Sequence, residues 1–296
     1  MKRQIIIAAD DFGFSEAFNI GAVKACRKGV ATVLNLLCNM PATENAIEIW
    51  KKECPHIQLT AHINFVQGRP VSAPEDIRSL VDENGNFYRS RCWKSDLNDS
   101  DKCKGNIYPD EEDLYRECMA QLNRFESLTG VRPAHFDAHS VMTKAMARAF
   151  ERVGKQTGIH NPVSQEKQPD RFVMVYELPM RDRDGSSILS RGARPEDWLN
   201  DSAGLLECPH PINVLHFHPG YVDKYILEHS SLTTPRCYDL ETLCDPLLPE
   251  QFSLLCFGFL CLQVSSVSNF CADTRGQRWS RPRKTWLATG RLLTVW

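Results

Sequence analysis

The sequence predicts an α/β fold with parallel strands, and three observations carry that expectation. Strand-like and helix-like stretches alternate without a break over the first ~65 residues. Four apolar runs end abruptly in clusters of aspartate, histidine and asparagine. The chain has 296 residues, 42% of them hydrophobic, enough for one large α/β domain with a substantial core.

Residues 4–9 read as a buried strand that runs into the adjacent carboxylates Asp10 and Asp11. Ser15 is the expected N-cap of a helix over 15–28, in which Ile20, Val23, Ala25 and Cys26 fall mostly on one face. Residues 29–38 return to β-rich sequence, 43–53 form a second helix opened by Thr43, and 57–65 form the third strand. Residues 66–108 break this rhythm with Pro, Gly, Asn and Asp, and their spaced aromatics Phe87, Tyr88 and Trp93 suggest a folded-over, lid-like insertion. Such aromatics either stack on a sugar ring or fill the segment's own small core, and the second is the commoner use.

The acidic start of 110–130 suits a helix N-terminus; Leu114, Cys118, Leu122 and Phe125 form its apolar stripe, and Gly130 ends it. A strand over 131–139, a helix over 141–158 and a strand over 213–220 follow. From residue 252 no clean period remains. Residues 1–251 are therefore taken as the domain and 252–296 as an atypical C-terminal tail.

Charge narrows the function. With 35 basic and 37 acidic residues the net charge is −2, so no field favours nucleic acid or an anionic membrane. The longest apolar run, 252–264, falls short of the ~18 residues of a membrane helix. The N-terminus lacks the longer apolar stretch of a signal peptide. Twelve cysteines form no CxxC pair, which excludes a zinc ribbon and reads as reduced thiols in a cytoplasmic protein.

The chemistry sits at the strand ends, where parallel α/β sheets open their sites. The segments are ADD (9–11), AHIN (61–64), HFDAH (135–139) and HFHPG (216–220). Alternation along a strand puts His135, Asp137 and His139 on one face, and His216 with His218 on another. A histidine of this kind taken alone is most often a hydrogen-bonded core or loop residue. Four such segments point instead to a divalent-metal hydrolase, in which imidazole and carboxylate hold Zn, Mn, Co or Mg and leave positions for water and substrate.

Other readings of these residues are weaker. DFG at 11–13 lacks the glycine-rich loop and HRD segment of a kinase, and no basic clamp accompanies Asp10 and Asp11 as phosphoryl transfer usually demands. Asp137 is expected to bond its strand neighbours or orient His139, and His216 to pack as a satisfied core histidine. His56, His135, His160, His210 and His229 carry no expected role.

The stretch IIIAADDFGFSEAFNIGAVKACRKGVAT, with AHINF, PAHFDAH and FHPGYVDKYILEHSSLTTPRCYDLETLCDP, resembles the YdjC-like carbohydrate deacetylases, the family of the chitooligosaccharide deacetylases. The likeness covers roughly residues 3–247. It implies a distorted (β/α) barrel with fewer than eight regular units. It also implies a metal site of Asp11, His62 and His139, holding a divalent ion usually given as magnesium, with zinc plausible on chemical grounds.

By the same resemblance Asp11 is also the catalytic base, Asp10 orients or shares the site, and His218 assists the leaving amine or the tetrahedral intermediate. The reaction implied is removal of N-acetyl groups from amino sugars or chitooligosaccharides with release of acetate. The expected partner is an acetylated sugar, with room for a homodimer. Ser140, Val141, Met142 and Thr143 stand where the family usually carries further histidines. That departure keeps a catalytically impaired carbohydrate-binding relative as an alternative, beside another metallohydrolase such as a phosphoesterase.

Overall fold

The computed structural model describes residues 3–94, 96, 102–163, 176–177, 180–208, 210–254 and 257–259. Its first half runs β1 (Arg3–Phe12), α1 (Glu16–Lys28), β2 (Val33–Leu36), α2 (Thr43–Glu53), β3 (Gln58–Ile63), α3 (Glu111–Thr129), β4 (Phe136–Ala138) and α4 (Lys144–Thr157). The remainder comprises β5 (Tyr176–Glu177), α5 (Ile188–Arg191), α6 (Pro195–Leu199), β6 (Ile212–Phe217), α7 (Lys224–His229), α8 (Pro235–Leu243), α9 (Leu248–Leu254) and β7 (Phe257–Phe259).

The seven strands pair in the order β4-β3-β2-β1-β6-β5, with β7 on β1, and every pairing between them is parallel. This is the expected α/β fold, a curled and incompletely closed barrel of fewer than eight units.

Alternation along the strands separates two apolar clusters. Ile5, Ile7 and Ala9 join Leu34, Leu36, Leu59, Ala61, Phe136, Leu215 and Phe217 in the main core, which includes residues of the surrounding helices. Ile6, Ala8, Val33, Ile212 and Val214 form a small cluster of their own on the other face. Continuing that second parity toward the strand C-termini gives Asp10, Asn35, His62 and His216. Thus one sheet face is apolar at the base and polar at the mouth.

Helix ends follow the local chemistry. Ser15, Asp110 and Thr143 each accept a hydrogen bond from a first-turn N–H, and Gly130 and Gly158 close α3 and α4 in the left-handed conformation. The expected stripe of α3 is buried throughout. On α1, Val23, Ala25 and Cys26 are buried, but Ile20 is 58% exposed and does not belong to that face.

The described residues of the 66–108 segment pack against the main core. Phe87 and Trp93 are buried, so their rings fill the core and offer no face to a sugar, while Tyr88 packs half-buried against that core. The segment is tied to both loops at the sheet mouth. Gln67 Nε2 and Arg89 Nη2 donate to the His229 carbonyl, and Lys102 Nζ donates to that of Ser140.

Past residue 251, where the sequence shows no period, α9 continues and Phe257–Phe259 pairs with Arg3–Ile5 at the start of β1. Most of the tail set apart in the sequence, 260–296, lies outside the described residues.

Candidate metal centre

The two carboxylates of ADDFG leave one strand toward one mouth because β1 is irregular there. Its register against β2 shifts between Ala9 and Phe12, and Asp11 has φ +66°, in the left-handed region. In a regular strand Asp10 and Asp11 face opposite ways. The shift turns Asp11 back toward the side of Asp10. Gly13, at φ +101°, completes the turn, and its N–H donates to Asn19 Oδ1 of α1 at 2.7 Å.

Asp11, 1% exposed, meets both expected imidazoles. Its Oδ1 lies 2.7 Å from His139 Nδ1 and 3.5 Å from His62 Nε2. The shorter contact does not have the alignment of a hydrogen bond, and both Asp11 Oδ1 and His139 Nδ1 are buried without a hydrogen-bond partner. A carboxylate oxygen and an imidazole nitrogen this close, without the alignment of a hydrogen bond, fit a shared cation.

His62 is prepared on its far side. Its Nδ1 lies 2.6 Å from Asp137 Oδ1, which aims Nε2 toward Asp11 and His139. Asp137 thus bonds its neighbour across the β3–β4 register pair, the first of the two expectations for it, and orients His62 instead of His139. The backbone N–H of His139 is tied to the Ile63 carbonyl at 2.8 Å.

A polar layer supports these groups. Asn35 Nδ2 donates to Asp10 Oδ1 at 2.6 Å and to Asp137 Oδ2 at 2.9 Å, while Thr60 Oγ1 bonds Asn35 Oδ1. His216 Nδ1 lies 3.0 Å from Asp10 Oδ2. His216 is therefore satisfied, as expected, though by a carboxylate of the site. His135 and His160 face each other through their Nδ1 atoms at 2.7 Å.

Burial alone pushes the Asp11 carboxyl up; His139, Arg236 and His218 outweigh it and hold it well below the usual carboxylate range. Burial likewise opposes the charged forms of the His62–Asp137 pair, but their mutual attraction prevails. His62 is held well above its ordinary value and Asp137 is brought down to about 2. Burial lowers His218 to about 4 despite the nearby carboxylates.

Arg236 and Asp239 escaped the sequence reading. Both come from α8 and are buried. Arg236 Nη2 donates to Asp11 Oδ2 at 2.8 Å. Asp239 accepts from the N–H of His218 at 2.8 Å and of Ala193 at 2.7 Å, fixing the loop that carries His218. Burial raises Asp239 to about 6 against those two bonds. The signal was present: Arg236, Asp239, Leu240 and Leu243 follow the i, i+3, i+4, i+7 pattern of a buried face with charge in two of its positions.

His218 stands at the rim, its Nε2 4.0 Å from Asp11 Oδ2. The donor set of two imidazoles and a carboxylate, with atoms within 4.8 Å of one another, has the composition of a catalytic zinc-type site.

Comparison with known proteins identifies the family. The model of the YdjC-like protein family matches residues 4–253. The chain belongs to the YdjC-like family. This YdjC-like chain is 31% identical over 255 residues to carbohydrate deacetylase 2 of Listeria innocua, covering 83% of this chain and 92% of that protein. It is 29% identical over 257 residues to a carbohydrate deacetylase of Geobacillus stearothermophilus, covering 86% and 94% of the two chains. The fold of the YdjC-like chain recurs in a solved Enterococcus faecalis protein named for cellobiose-phosphate cleavage. Its TM-score is 0.70 at 20% identity, covering 88% of this chain and 97% of that one.

Proposed function

We propose that this protein is a divalent-metal-dependent N-deacetylase that removes acetyl groups from amino sugars or chitooligosaccharides and releases acetate. The observation that carries the proposal is the convergence of Asp11, His62 and His139, with Asp11 Oδ1 and His139 Nδ1 unpartnered 2.7 Å apart. The relatives named carbohydrate deacetylases support the choice of substrate class. Nitrogen donors favour zinc over magnesium, which prefers oxygen ligands. Buried cysteines without disulfides among the described residues fit a reducing, cytoplasmic setting.

Asp11, His62 and His139 would hold a divalent ion, which would polarise the acetamide carbonyl and make a water more acidic. The remaining work falls to the protein's own groups. Asp11 would hold the ion through Oδ1, and its Oδ2 accepts from Arg236. With Asp11 reserved for the ion, proton abstraction is assigned to the neighbouring carboxylate Asp10, which Asn35 and His216 hold in place. This moves the base from Asp11, where the family resemblance puts it, to its neighbour. His218, neutral at pH 7 because burial holds it near 4, acts as a hydrogen-bonding imidazole toward the tetrahedral intermediate and the leaving nitrogen.

The test is acetate release from N,N′-diacetylchitobiose by chelator-treated protein reloaded with zinc or magnesium. Activity should return with the ion and be lost in Asp11→Asn with the fold intact. An Asp11→Asn variant that turns over at the parental rate overturns the proposal.

A further inference from the structure

We propose that Arg236 is a positioning residue that occupies Asp11 Oδ2 and so restricts Asp11 to holding the divalent cation through Oδ1 alone. The inference rests on the metal-centre reading above and adds how the carboxylate is used.

The two oxygens of Asp11 are divided between two kinds of partner. Oδ1 faces His139 at 2.7 Å and His62 at 3.5 Å, and Oδ2 accepts from Arg236 Nη2 at 2.8 Å. A carboxylate is able to chelate a cation with both oxygens when both are open. Here the second oxygen already carries a guanidinium. A dication drawn onto that oxygen would meet a positive charge at close range in a buried site, where such repulsion is least screened.

Arg236 is built to stay where it is. It is 1% exposed, and Asp11 is the one carboxylate it pairs with among the described residues. Its Nε donates to the Leu232 carbonyl at 2.8 Å, and Nη2 also reaches Ser230 Oγ at 3.3 Å. The guanidinium carbon lies 4.9 Å from the Phe18 ring centre and 5.2 Å from that of Phe14. Phe14 follows the DFG turn and Phe18 belongs to α1, so the elements that shape Asp11 also wall in its partner.

Planarity makes the arrangement specific. One guanidinium serves Asp11, Ser230 and Leu232 from a fixed fork, and a lysine ammonium does not span all three. The consequence at the cation is a count of three protein donor atoms, which leaves room for both water and the substrate carbonyl. If Oδ2 were released, Asp11 would close on the ion with both oxygens and take one of those positions.

The experiment compares the wild type with Arg236→Met and Arg236→Lys, each loaded with Co2+, by visible absorption and by crystallography, with circular dichroism as the check on folding. In the wild type Asp11 should present one oxygen at about 2.1 Å from the ion. In Arg236→Met, Oδ2 should join it, the visible bands should weaken as coordination rises, and acetate release should fall about 10- to 100-fold. Arg236→Lys, which restores a charge beside Oδ2, should recover the wild-type spectrum in part.

A folded Arg236→Met protein with an unchanged Co2+ spectrum overturns the inference and leaves the metal centre standing. Wild-type protein that binds no Co2+ removes both together. If both variants fail to fold, the wild-type crystal still decides: two Asp11 oxygens on the ion refute the inference, and one supports it.

Discussion

Asp137→Asn is the substitution that isolates how His62 is prepared for a cation. In the wild type a buried carboxylate lies 2.6 Å from His62 Nδ1, and its other oxygen accepts from Asn35 Nδ2 at 2.9 Å. The amide oxygen of an asparagine still accepts from His62 Nδ1–H, so the ring keeps its direction. The bond changes from charge-assisted, about 1.5–3 kcal/mol, to neutral, about 1 kcal/mol, a loss of about 0.5–2 kcal/mol in the ligand's support. The new amide N–H2 then faces the N–H2 of Asn35, donor against donor, which costs about 1–3 kcal/mol more unless the pair rearranges.

Only the first loss bears directly on the donor strength of Nε2. At about 1.4 kcal/mol per tenfold it predicts metal affinity weakened by about one order of magnitude, within the 10- to 100-fold range of such supporting groups. Titration calorimetry with Zn2+ on chelator-treated protein reads this directly, and a thermal melt of the metal-free variant reads the second loss. An affinity within twofold of the wild type, in a folded variant, would refute the idea that Asp137 prepares His62 for a cation.

The remaining predictions address pH and backbone. Because His62 is held protonated well above its unfolded value, its contribution is fully present below about pH 6.5 and lost as pH rises through the folded pKa. Metal-free protein should therefore melt lower at pH 9 than at pH 6, more steeply than His62→Asn does, while the gap between zinc-loaded and metal-free wild type widens with pH; parallel curves for the two proteins count against this linkage. Asp137, brought down to about 2, works on the acid side: its stabilisation is present above about pH 4 and should fade as pH drops toward 2, visible as a falling melting temperature that Asp137→Asn does not share. Gly220→Ala places a methyl 2.0 Å from Phe18 Cδ2, whereas at Gly130 an added methyl meets nothing within 4 Å. The first should lose about 1–3 kcal/mol and displace the His218 loop with loss of acetate release. The second should cost no more than its positive φ, about 1–2 kcal/mol, with turnover intact, and equal effects on activity would contradict the packing argument.

What the sequence revealed and what it concealed follow from the range of the forces involved. β1, β3 and β6 were legible because local apolar runs stop at polar residues, and α3 because its stripe and its caps are local. The polar strand ends that hold Asp11, His62 and His139 were legible for the same reason, but the choice of these three among their neighbours came from the family resemblance; the three do converge. β5 is two residues long and β7 three, too short to show a period, so their place in the sheet depends on partners far away in the chain. Arg236 meets Asp11 across 225 positions, a pairing that no window of sequence contains. His216 was read in terms of packing, but its partner Asp10 lies 206 positions away.

The irregular end of β1 links these facts into one physical account. Holding Asp11 at φ +66° costs about 1–2 kcal/mol, and burying two adjacent carboxylates costs more. Asp10 is compensated by Asn35 and His216, and one oxygen of Asp11 by Arg236. The other oxygen of Asp11 and Nδ1 of His139 face each other without the alignment of a hydrogen bond. A cation between them would satisfy both at once. On the proposed reading, the unliganded protein carries a local cost that a bound cation would remove, and the contact that ties Asp11 to Arg236 also prepares it as a ligand.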